Sequence, residues 1–223
     1  MIEVYVTASA SMWFGIAYTE NSIVATSVGS SKDRTIRSLL KSLPSSVHYR
    51  VVEKGSEFAE RTIPTLQEAH MGKREFRDFT LAEEFFSEPV ARVLKAAAAI
   101  PVGYVASYGD IARVASTNPR MVGRIMASNP LYPIVPCHRV VGADFSLVGY
   151  GGRKSSDALK AKLARLITES RGFKSETNVS IGGAVLKVFP VERVITAARK
   201  QGITLSGTPQ HTLASWQSDR PSQ

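Results

Sequence analysis

A single cysteine, Cys137, stands between a proline and a histidine, and no other residue of the chain is better suited to nucleophilic chemistry. Pro136 has a fixed φ and biases Val135 toward an extended conformation, so the thiol is predicted to lie at a stiff bend rather than inside a helix. His138 and Arg139 follow directly, and nearby positive charge favours the thiolate, the species that attacks carbon. The pattern indicates a thiol that is held in one direction for covalent chemistry.

A lone cysteine also has a purely structural interpretation, because free cysteine is among the most buried residue types and often acts as a small hydrophobe. Composition alone favours that role. Adjacent residues of an extended segment point to opposite faces, so we expect any proton transfer between Cys137 and His138 to pass through a bridging water. Both interpretations stay open at this point.

The net charge of +9 is unevenly distributed along the 223 residues. Residues 1–89 carry 10 basic and 12 acidic side chains, residues 90–173 carry 12 and 4, and residues 174–223 carry 6 and 3. The middle of the chain therefore holds a net +8, which is typical of a protein that binds a phosphate backbone. Basic surfaces also occur on proteins that never contact nucleic acid, so charge alone leaves both possibilities.

Composition excludes several other classes of protein. No apolar run approaches the roughly 18 residues that a membrane-spanning helix needs, and the N-terminus lacks a signal-peptide pattern. We therefore expect no membrane association and a cytoplasmic location, or a nuclear one in a eukaryote. One cysteine excludes an internal disulfide, and four scattered histidines do not form a zinc-ligand pattern, so neither a metal nor a cofactor is expected.

Residues 1–75 are predicted to form a small α/β scaffold domain. Short segments rich in β-branched and aromatic residues predict strands over 2–7, 12–18 and 22–28. Ser31 or Asp33 can cap a following helix, and a second helix is predicted with an interruption near Pro64. This domain shows no nucleophile and no phosphate-binding loop, so a scaffold role is expected.

Residues 103–128 have the pattern of a helix-turn-helix, with a first helix over 108–115 and a second helix capped by Asn118. Met121, Val122, Ile125 and Met126 form the predicted buried stripe of the second helix, and Arg120, Gly123, Arg124 and Ala127 share its opposite face. Small residues let a helix approach DNA closely, and arginines meet phosphates. The opposite face is therefore predicted to contact DNA, with an ordinary solvated face as the alternative.

These motifs together resemble the O6-alkylguanine-DNA alkyltransferases, also called methylated-DNA-protein-cysteine methyltransferases. The resemblance extends over about residues 88–169 and rests on Pro136-Cys137-His138-Arg139-Val140, Asn129-Pro130, Gly149-Tyr150 and the segment 100–112. It implies an α/β N-terminal domain with a ribonuclease H-like fold but no nuclease chemistry. A mostly α, winged-helix-like domain that contains the helix-turn-helix is expected to follow.

The resemblance also implies roles for the candidate catalytic and DNA-binding residues. Cys137 accepts the alkyl group, His138 takes the thiol proton, and Glu169 orients that histidine. Tyr108 donates a hydrogen bond to the departing guanine, and Asn129 holds the turn that presents the thiol. The second helix lies in the minor groove, where Arg120 fills the space of a flipped nucleotide; the DNA-binding set is Arg120, Gly123, Arg124, Ala127 and Ser128.

Tyr150, Gly151 and Val140 are the residues that the resemblance assigns to the base pocket. Relatives often carry serine at the position of Gly151, so one side-chain donor is absent here and a backbone amide is expected to replace it. Glycines at 149, 151 and 152 suit either a flexible loop that closes over a substrate or a simple connection.

The resemblance leads to a division of the chain and a single-turnover function. After a linker over 76–84, residues 85–172 form the DNA-binding and alkyl-transfer domain, 173–204 a hairpin-and-helix appendage, and 205–223 a disordered tail. The protein is expected to act as a monomer on double-stranded DNA that contains O6-alkylguanine and to transfer the alkyl group irreversibly to Cys137. The alternatives are a non-catalytic reader of alkylated bases, a helix-turn-helix regulator and a cysteine hydrolase.

Overall fold

The structure is a computed structural model that describes residues 1–73, 79–210 and 212–213. The described residues form two compact units. Of the described residues, those up to Glu88 and Pro130–Ile134 form the first unit, and Pro89–Asn129 and those from Val135 onward form the second. Each unit contains a mixed four-stranded sheet and several helices, so the chain has a two-domain α/β fold.

The first unit contains four strands and two α-helices before a single-turn 3₁₀ helix at Glu83–Phe85. These elements are β1 (Ile2–Ser9), β2 (Met12–Thr19), β3 (Ser22–Gly29), α1 (Lys32–Ser42), β4 (Tyr49–Val52) and α2 (Glu57–His70). The three predicted N-terminal strands are confirmed. Antiparallel pairs join β1 to β2 and β2 to β3, while β4 pairs in parallel with β1, which gives the order β3-β2-β1-β4.

Local sequence signals explain how this sheet is covered. Side chains of β1 alternate between the two faces, so Ile2, Val4 and Val6 are buried on the same side. Of the two predicted caps for α1, Ser31 is the one that acts: its hydroxyl accepts a hydrogen bond from the amide of Arg34. Leu39 of α1 then packs into the same core cluster as these strand residues.

The predicted interruption near Pro64 is wrong, because α2 continues from Glu57 to His70 with Pro64 inside it. A proline within a helix removes one intrahelical hydrogen bond and crowds the preceding turn. Ile63 and Leu66 are both buried on the core face. Helices in proteins are stabilised mainly by such packing, which here outweighs the local defect.

Two segments outside the named strands are hydrogen-bonded to β3. Residues 80–82 of the predicted linker flank Ile23, whose amide donates to the carbonyl of Thr80 at 2.8 Å; residues 76–78 lie outside the described residues. Pro130–Ile134 is held by Thr26, whose amide donates to Pro130 O at 2.9 Å and whose hydroxyl donates to Tyr132 O at 2.9 Å. Five residues of the stretch that precedes Cys137 are thus part of the first unit.

The second unit contains five helices and the sheet β6-β5-β8-β7. Its elements are α3 (Glu88–Ala98), β5 (Tyr104–Ser107), α4 (Tyr108–Val114), α5 (Pro119–Ala127), a 3₁₀ turn (Cys137–Arg139), β6 (Val140–Val141), α6 (Ser156–Thr168), β7 (Thr177–Ile181), β8 (Ala184–Pro190) and α7 (Val191–Lys200). Parallel pairing joins β5 to β6, and antiparallel pairing joins β5 to β8 and β8 to β7.

The two helices α4 and α5 correspond to the predicted helix-turn-helix. The side chain of Asn118 accepts a hydrogen bond from the amide of Met121 at 3.0 Å, which confirms the predicted cap of α5. Val122, Ile125 and Met126 are buried as predicted, whereas Met121 is only half-buried. The stripe is therefore narrower by one residue than its periodicity indicated.

Residues 173–204, predicted as an appendage, contribute strands and core residues to the second unit. In β8, Pro190 and Phe189 pair with Tyr104 and Val105 of β5. Val191 and Val194 of α7 are fully buried in one cluster with residues of β5, β6 and α6. In the predicted disordered tail, 205–210 and 212–213 are described and include a helical hydrogen bond from the amide of Thr212 to Thr208 O; the other tail residues lie outside the described ones.

Candidate active site

Cys137 begins the 3₁₀ turn Cys137–Arg139, immediately after Pro136 at φ −80° and ψ 72°. The amide of Cys137 donates to Val135 O at 2.9 Å. The side-chain amide of Asn129 donates to the same carbonyl at 2.7 Å, so it ties the end of α5 to the turn that carries the thiol. The cysteine therefore lies at a rigid bend outside any α-helix, and its side chain is half-buried.

The thiol opens into a cavity of about 610 Å³ in the second unit. The lining includes eight of the residues that sequence analysis proposed: Tyr108, Arg120, Gly123, Arg124, Ala127, Cys137, Tyr150 and Gly151. All four residues of the predicted DNA-facing side of α5 thus lie on the wall of the cavity that contains the cysteine. An apolar cavity with a few converging polar groups is the usual form of a ligand site.

Five proposed residues do not line this cavity: Asn129, Ser128, Val140, His138 and Glu169. Ser128 ends α5, and its hydroxyl donates to Arg124 O at 3.1 Å. Val140 is fully buried. Ser128 and Asn129 follow α5 directly and Val140 follows the cysteine turn, whereas His138 and Glu169 form a separate buried cluster.

Glu169 is the centre of that buried cluster. Its Oε1 lies 2.9 Å from His138 Nε2, and Arg139 donates to both carboxylate oxygens, from Nε to Oε2 at 2.7 Å and from Nη2 to Oε1 at 2.8 Å. A third nitrogen of Arg139 donates to Ile100 O at 2.6 Å. One carboxylate therefore orients two consecutive side chains of the cysteine turn.

The electrostatics of the cluster determine which nitrogen of His138 is basic. Burial lowers the pKa of His138, and Arg139 and Arg165 act in the same direction against the opposing effect of Glu169, so the ring is neutral. Burial alone would raise the pKa of Glu169, but His138 and Arg139 hold it well below its ordinary value. An ionised Glu169 only accepts hydrogen bonds, so Nε2 carries the proton and Nδ1 presents the lone pair.

Among the described residues, no group forms a hydrogen bond with the buried His138 Nδ1. Buried polar atoms without a partner are rare in proteins and often coincide with functional sites. Nδ1 is therefore the atom of His138 that can accept a proton, through its lone pair.

Tyr108 begins α4 and reaches the same cavity as Cys137. Burial raises the pKa of Tyr108 to about 12, and the charge of Cys137 acts in the same direction. The phenol is therefore protonated at neutral pH and can serve as a hydrogen-bond donor inside the cavity.

Lys162 is a fully buried cation that is not among the proposed site residues. Its ammonium donates to three carbonyl oxygens, Val140 O at 2.7 Å, Leu147 O at 2.8 Å and Gly149 O at 3.1 Å. Burial lowers the pKa of Lys162 to about 7. The sequence did contain a signal, since Lys162 lies three residues after Leu159 and four before Leu166, within the apolar stripe of α6.

The loop at the cavity mouth is a tight turn. Tyr150 N donates to Arg153 O at 2.8 Å and Arg153 N donates to Tyr150 O at 3.0 Å. The central residues Gly151 and Gly152 have φ of 54° and 73°, values that a two-residue type I′ turn requires and that glycine adopts without strain. Arg153 and Lys154, which sequence reasoning did not single out, line the cavity together with this turn.

Within the described ranges, no group of three or more His, Cys, Asp and Glu side chains is arranged to hold a metal ion. No helix in the same part of the chain is both long and apolar enough to cross a membrane.

Residues 88–171 match the family model of the 6-O-methylguanine DNA methyltransferase DNA-binding domain. Over this segment the chain is similar to that domain. The matched range contains α3–α6, the cysteine turn, the cavity and Glu169, so all thirteen proposed site residues lie inside it. The resemblance to this family is thereby confirmed over residues 88–171.

Curated relatives and solved structures agree with the family match. A methylated-DNA–protein-cysteine methyltransferase of Pyrobaculum aerophilum is 60% identical over 53 residues, which cover 24% of this chain and 36% of the relative. Its counterpart in Archaeoglobus fulgidus is 45% identical over 78 residues, covering 34% and 52%. The crystal structure of Mycobacterium tuberculosis OGT in complex with DNA matches at 26% identity and a TM-score of 0.54, over 75% of this chain and 92% of that one.

These curated relatives are thus matched over only about a third to a half of their own length. Residues after 171 lie outside the family match.

Proposed function

We propose that the protein repairs DNA by direct reversal, transferring the alkyl group of an O6-alkylguanine to its own Cys137. The observation that carries this proposal is the cavity, in which the thiol, the protonated phenol of Tyr108 and the arginine face of α5 converge. A thiol for transfer, a donor for the leaving group and a basic helix for the backbone are the three functions that such a reaction needs.

The proposed reaction is an in-line displacement at the alkyl carbon. The thiolate of Cys137 forms the new S–C bond while the C–O6 bond of the guanine breaks, and Tyr108 donates a hydrogen bond to the oxygen that leaves. His138 takes the thiol proton at Nδ1 through a bridging water, and Glu169 stabilises the imidazolium that forms. A thioether does not hydrolyse, so each molecule acts once.

The proposed DNA interface is the exposed side of α5, formed by Arg120, Gly123, Arg124, Ala127 and Ser128. Chemistry on a base of a duplex requires the nucleotide to be flipped out of the stack, and Arg120 would fill the space that it leaves. Arg153 and Lys154 extend the basic rim of the same cavity. The partner is therefore double-stranded DNA that contains O6-alkylguanine, and we expect a monomer to bind it.

In the proposed base pocket Tyr150 packs beside the guanine, and Val140 stands behind the cysteine turn. With Gly151 in place of a residue that has a side-chain donor, backbone amides of the turn would hold the guanine oxygen. No metal or cofactor enters the proposed reaction.

We also propose that the first unit has a ribonuclease H-like fold and the second a winged-helix-like fold. The order β3-β2-β1-β4 with two helices supports a ribonuclease H-like first unit, and α4 and α5 beside a small sheet support a winged-helix-like second unit. A repair protein of this kind would act where the chromosome is, in the cytoplasm or, in a eukaryote, in the nucleus.

The test is an intact-mass measurement after incubation with a duplex oligonucleotide that contains one O6-methylguanine. We expect a gain of one methyl group per molecule, located by peptide mapping at Cys137. The variant Cys137→Ser is expected to gain nothing while its affinity for the oligonucleotide stays close to that of the native protein. Tight binding without any mass gain in the native protein would instead identify a non-catalytic reader of alkylated bases.

A further inference from the structure

The turn that follows Glu169 is held by a carboxylate from outside the methyltransferase domain. Glu192 lies in the first turn of α7, 21 residues beyond the end of the family match at 171. Its Oε1 accepts a hydrogen bond from Ser170 Oγ at 2.8 Å and another from Gly172 N at 2.7 Å. A single oxygen thereby fixes the first and third residues after Glu169.

Three features stabilise this contact. Burial would raise the pKa of Glu192, but the hydrogen bonds from Ser170 and from backbone amides hold it below its ordinary value, so the group is ionised. A carboxylate in the first turn of a helix is also stabilised by the helix dipole. Gly172, at φ 71°, turns the chain back toward α7, and this conformation brings its amide to the acceptor.

The position of this contact links it to the chemistry. Glu169 ends α6, and its carboxylate orients both His138 and Arg139. If residues 170–172 were free to move, the last turn of α6 would loosen and the carboxylate would lose its fixed direction. Hydrogen bonds to charged groups are worth about twice those between neutral groups, so Glu192 is a strong restraint on that turn.

We propose that Glu192 is a positioning residue for alkyl transfer, which acts by fixing the turn after Glu169 and so holding His138 in its reactive orientation. This inference rests on the proposed function and deepens it. Residues 173–204 then have a mechanistic role, since they provide the restraint that keeps the catalytic base in place.

The test compares Glu192→Ala with Glu192→Gln, which keeps an acceptor oxygen at the same place. Glu176→Ala is the matched control, because Glu176 lies in the same segment but pairs with Lys187 and Arg193. Single-turnover methyl transfer and the alkylation of Cys137 by iodoacetamide are both measured between about pH 5 and 9, a range around the ordinary pKa values of His and Cys. The second reaction needs no DNA, and Cys137 is the only cysteine, so mass reports it directly.

Glu192→Ala is expected to lower the transfer rate roughly tenfold, a part of what a general base contributes. It is also expected to shift the acid limb of both pH profiles to lower pH. A loosened Glu169 stabilises the imidazolium of His138 less, while Arg139 and Arg165 still disfavour that charge, so the pKa of His138 falls further. Glu192→Gln should recover most of the rate, and Glu176→Ala should match the native protein. Ser170→Ala, which removes one of the two donors, should show a smaller change in the same direction.

A purely structural contact would give a different result. Glu192→Ala would then unfold at a lower temperature but, while folded, would keep the native rate and pH profile, and the proposal would be overturned. Equal losses in the Ala and Gln variants would also overturn it, because they would exclude the acceptor hydrogen bond as the cause. If the native protein transfers no methyl group, the proposed function fails, whereas the iodoacetamide profiles still decide whether Glu192 acts on the cysteine turn.

Discussion

At the scale of single residues, the site depends on charges that are buried together. Arg139 and Glu169 are 3% and 1% exposed, a degree of burial that charged side chains rarely reach unless they are paired. Burial lowers the pKa of His138, and the charges of Arg139 and Arg165 add to this effect against Glu169, so His138 stays neutral and keeps a basic nitrogen. Breaking such a buried set by removing one partner is costly, on the order of 3–5 kcal/mol, since the remaining charge has no partner.

Glu169→Gln is therefore expected to destabilise the protein by about 3–5 kcal/mol at neutral pH. The pKa of Glu169 is lowered in the folded state, so its contribution is fully present above the ordinary carboxyl pKa and is lost as the pH falls toward the folded value. The stability difference between native protein and variant should thus be constant above about pH 6 and shrink below about pH 4. Urea unfolding at a series of pH values measures this difference.

The matched control for this experiment is Glu60→Gln, at an exposed position on α2. Its stability difference should stay small throughout the series. A loss in Glu169→Gln that did not change with pH would mean that the pKa of Glu169 is the same in the folded and unfolded states, contrary to the cluster described above.

Sequence reasoning proposed residues for the chemistry, and it named Glu169 and Asn129 as residues that hold them, but it missed other contacts that fix the site. Cys137 and His138 stand out by type and by their proline neighbour, and Glu169 followed from the family resemblance. The carboxylate clamp of Arg139 and the three carbonyl contacts of Lys162 were not foreseen, because each depends on groups that are distant in sequence. A charged residue within an apolar stripe, as Lys162 is, was the one local sign of such a contact.

At the scale of elements, α5 combines two functions on opposite faces. Val122, Ile125 and Met126 anchor the helix in the core, and the opposite face forms one wall of the cavity. Asn118 caps the helix and Asn129 ties its end to the cysteine turn, so both ends are fixed. The arginines of α5 are thereby presented at a defined position relative to the thiol.

Arg120→Ala is expected to slow methyl transfer from duplex DNA by at least about tenfold, the effect of roughly 1.4 kcal/mol lost from nucleotide flipping. Reaction with free O6-benzylguanine requires no flipping and should keep nearly its native rate. Single-turnover kinetics on both substrates, with Arg199→Ala as a control that removes an equal charge from the exposed end of α7, measure the contrast. Equal losses of Arg120→Ala on both substrates would count against a role in flipping.

The elements themselves were predictable where their signals are local. Ser31 and Asn118 cap their helices as the sequence indicated, because a cap needs only the next three residues. The pairing of β8 with β5 was not predicted, since it joins segments more than 80 residues apart and depends on tertiary packing.

At the scale of the whole molecule, the segment after 172 completes the second unit. Strand β8 extends the sheet at β5, and α7 packs on α6. Leu186, Val188, Val191 and Val194 are each fully buried. At about 1.5–3 kcal/mol for each side chain, their burial is worth roughly 6–12 kcal/mol, which is comparable to the 5–15 kcal/mol of net stability typical of a domain.

A chain that ends at Gly172 is therefore expected to lose the cooperative folding of its second unit. Because such a deletion removes many residues, a pair of full-length variants isolates the cause: Val194→Asp at a fully buried position and Val185→Asp at one that is 47% exposed. An unpaired carboxylate in the core costs several kcal/mol or forces its own protonation, so Val194→Asp should behave like the deletion, while Val185→Asp should stay close to the native protein. Thermal unfolding followed by near-ultraviolet circular dichroism distinguishes them.

If the shortened chain unfolded at the native temperature and still methylated Cys137, the domain of residues 88–171 would be self-sufficient, and the segment that provides Glu192 would be dispensable for both folding and chemistry.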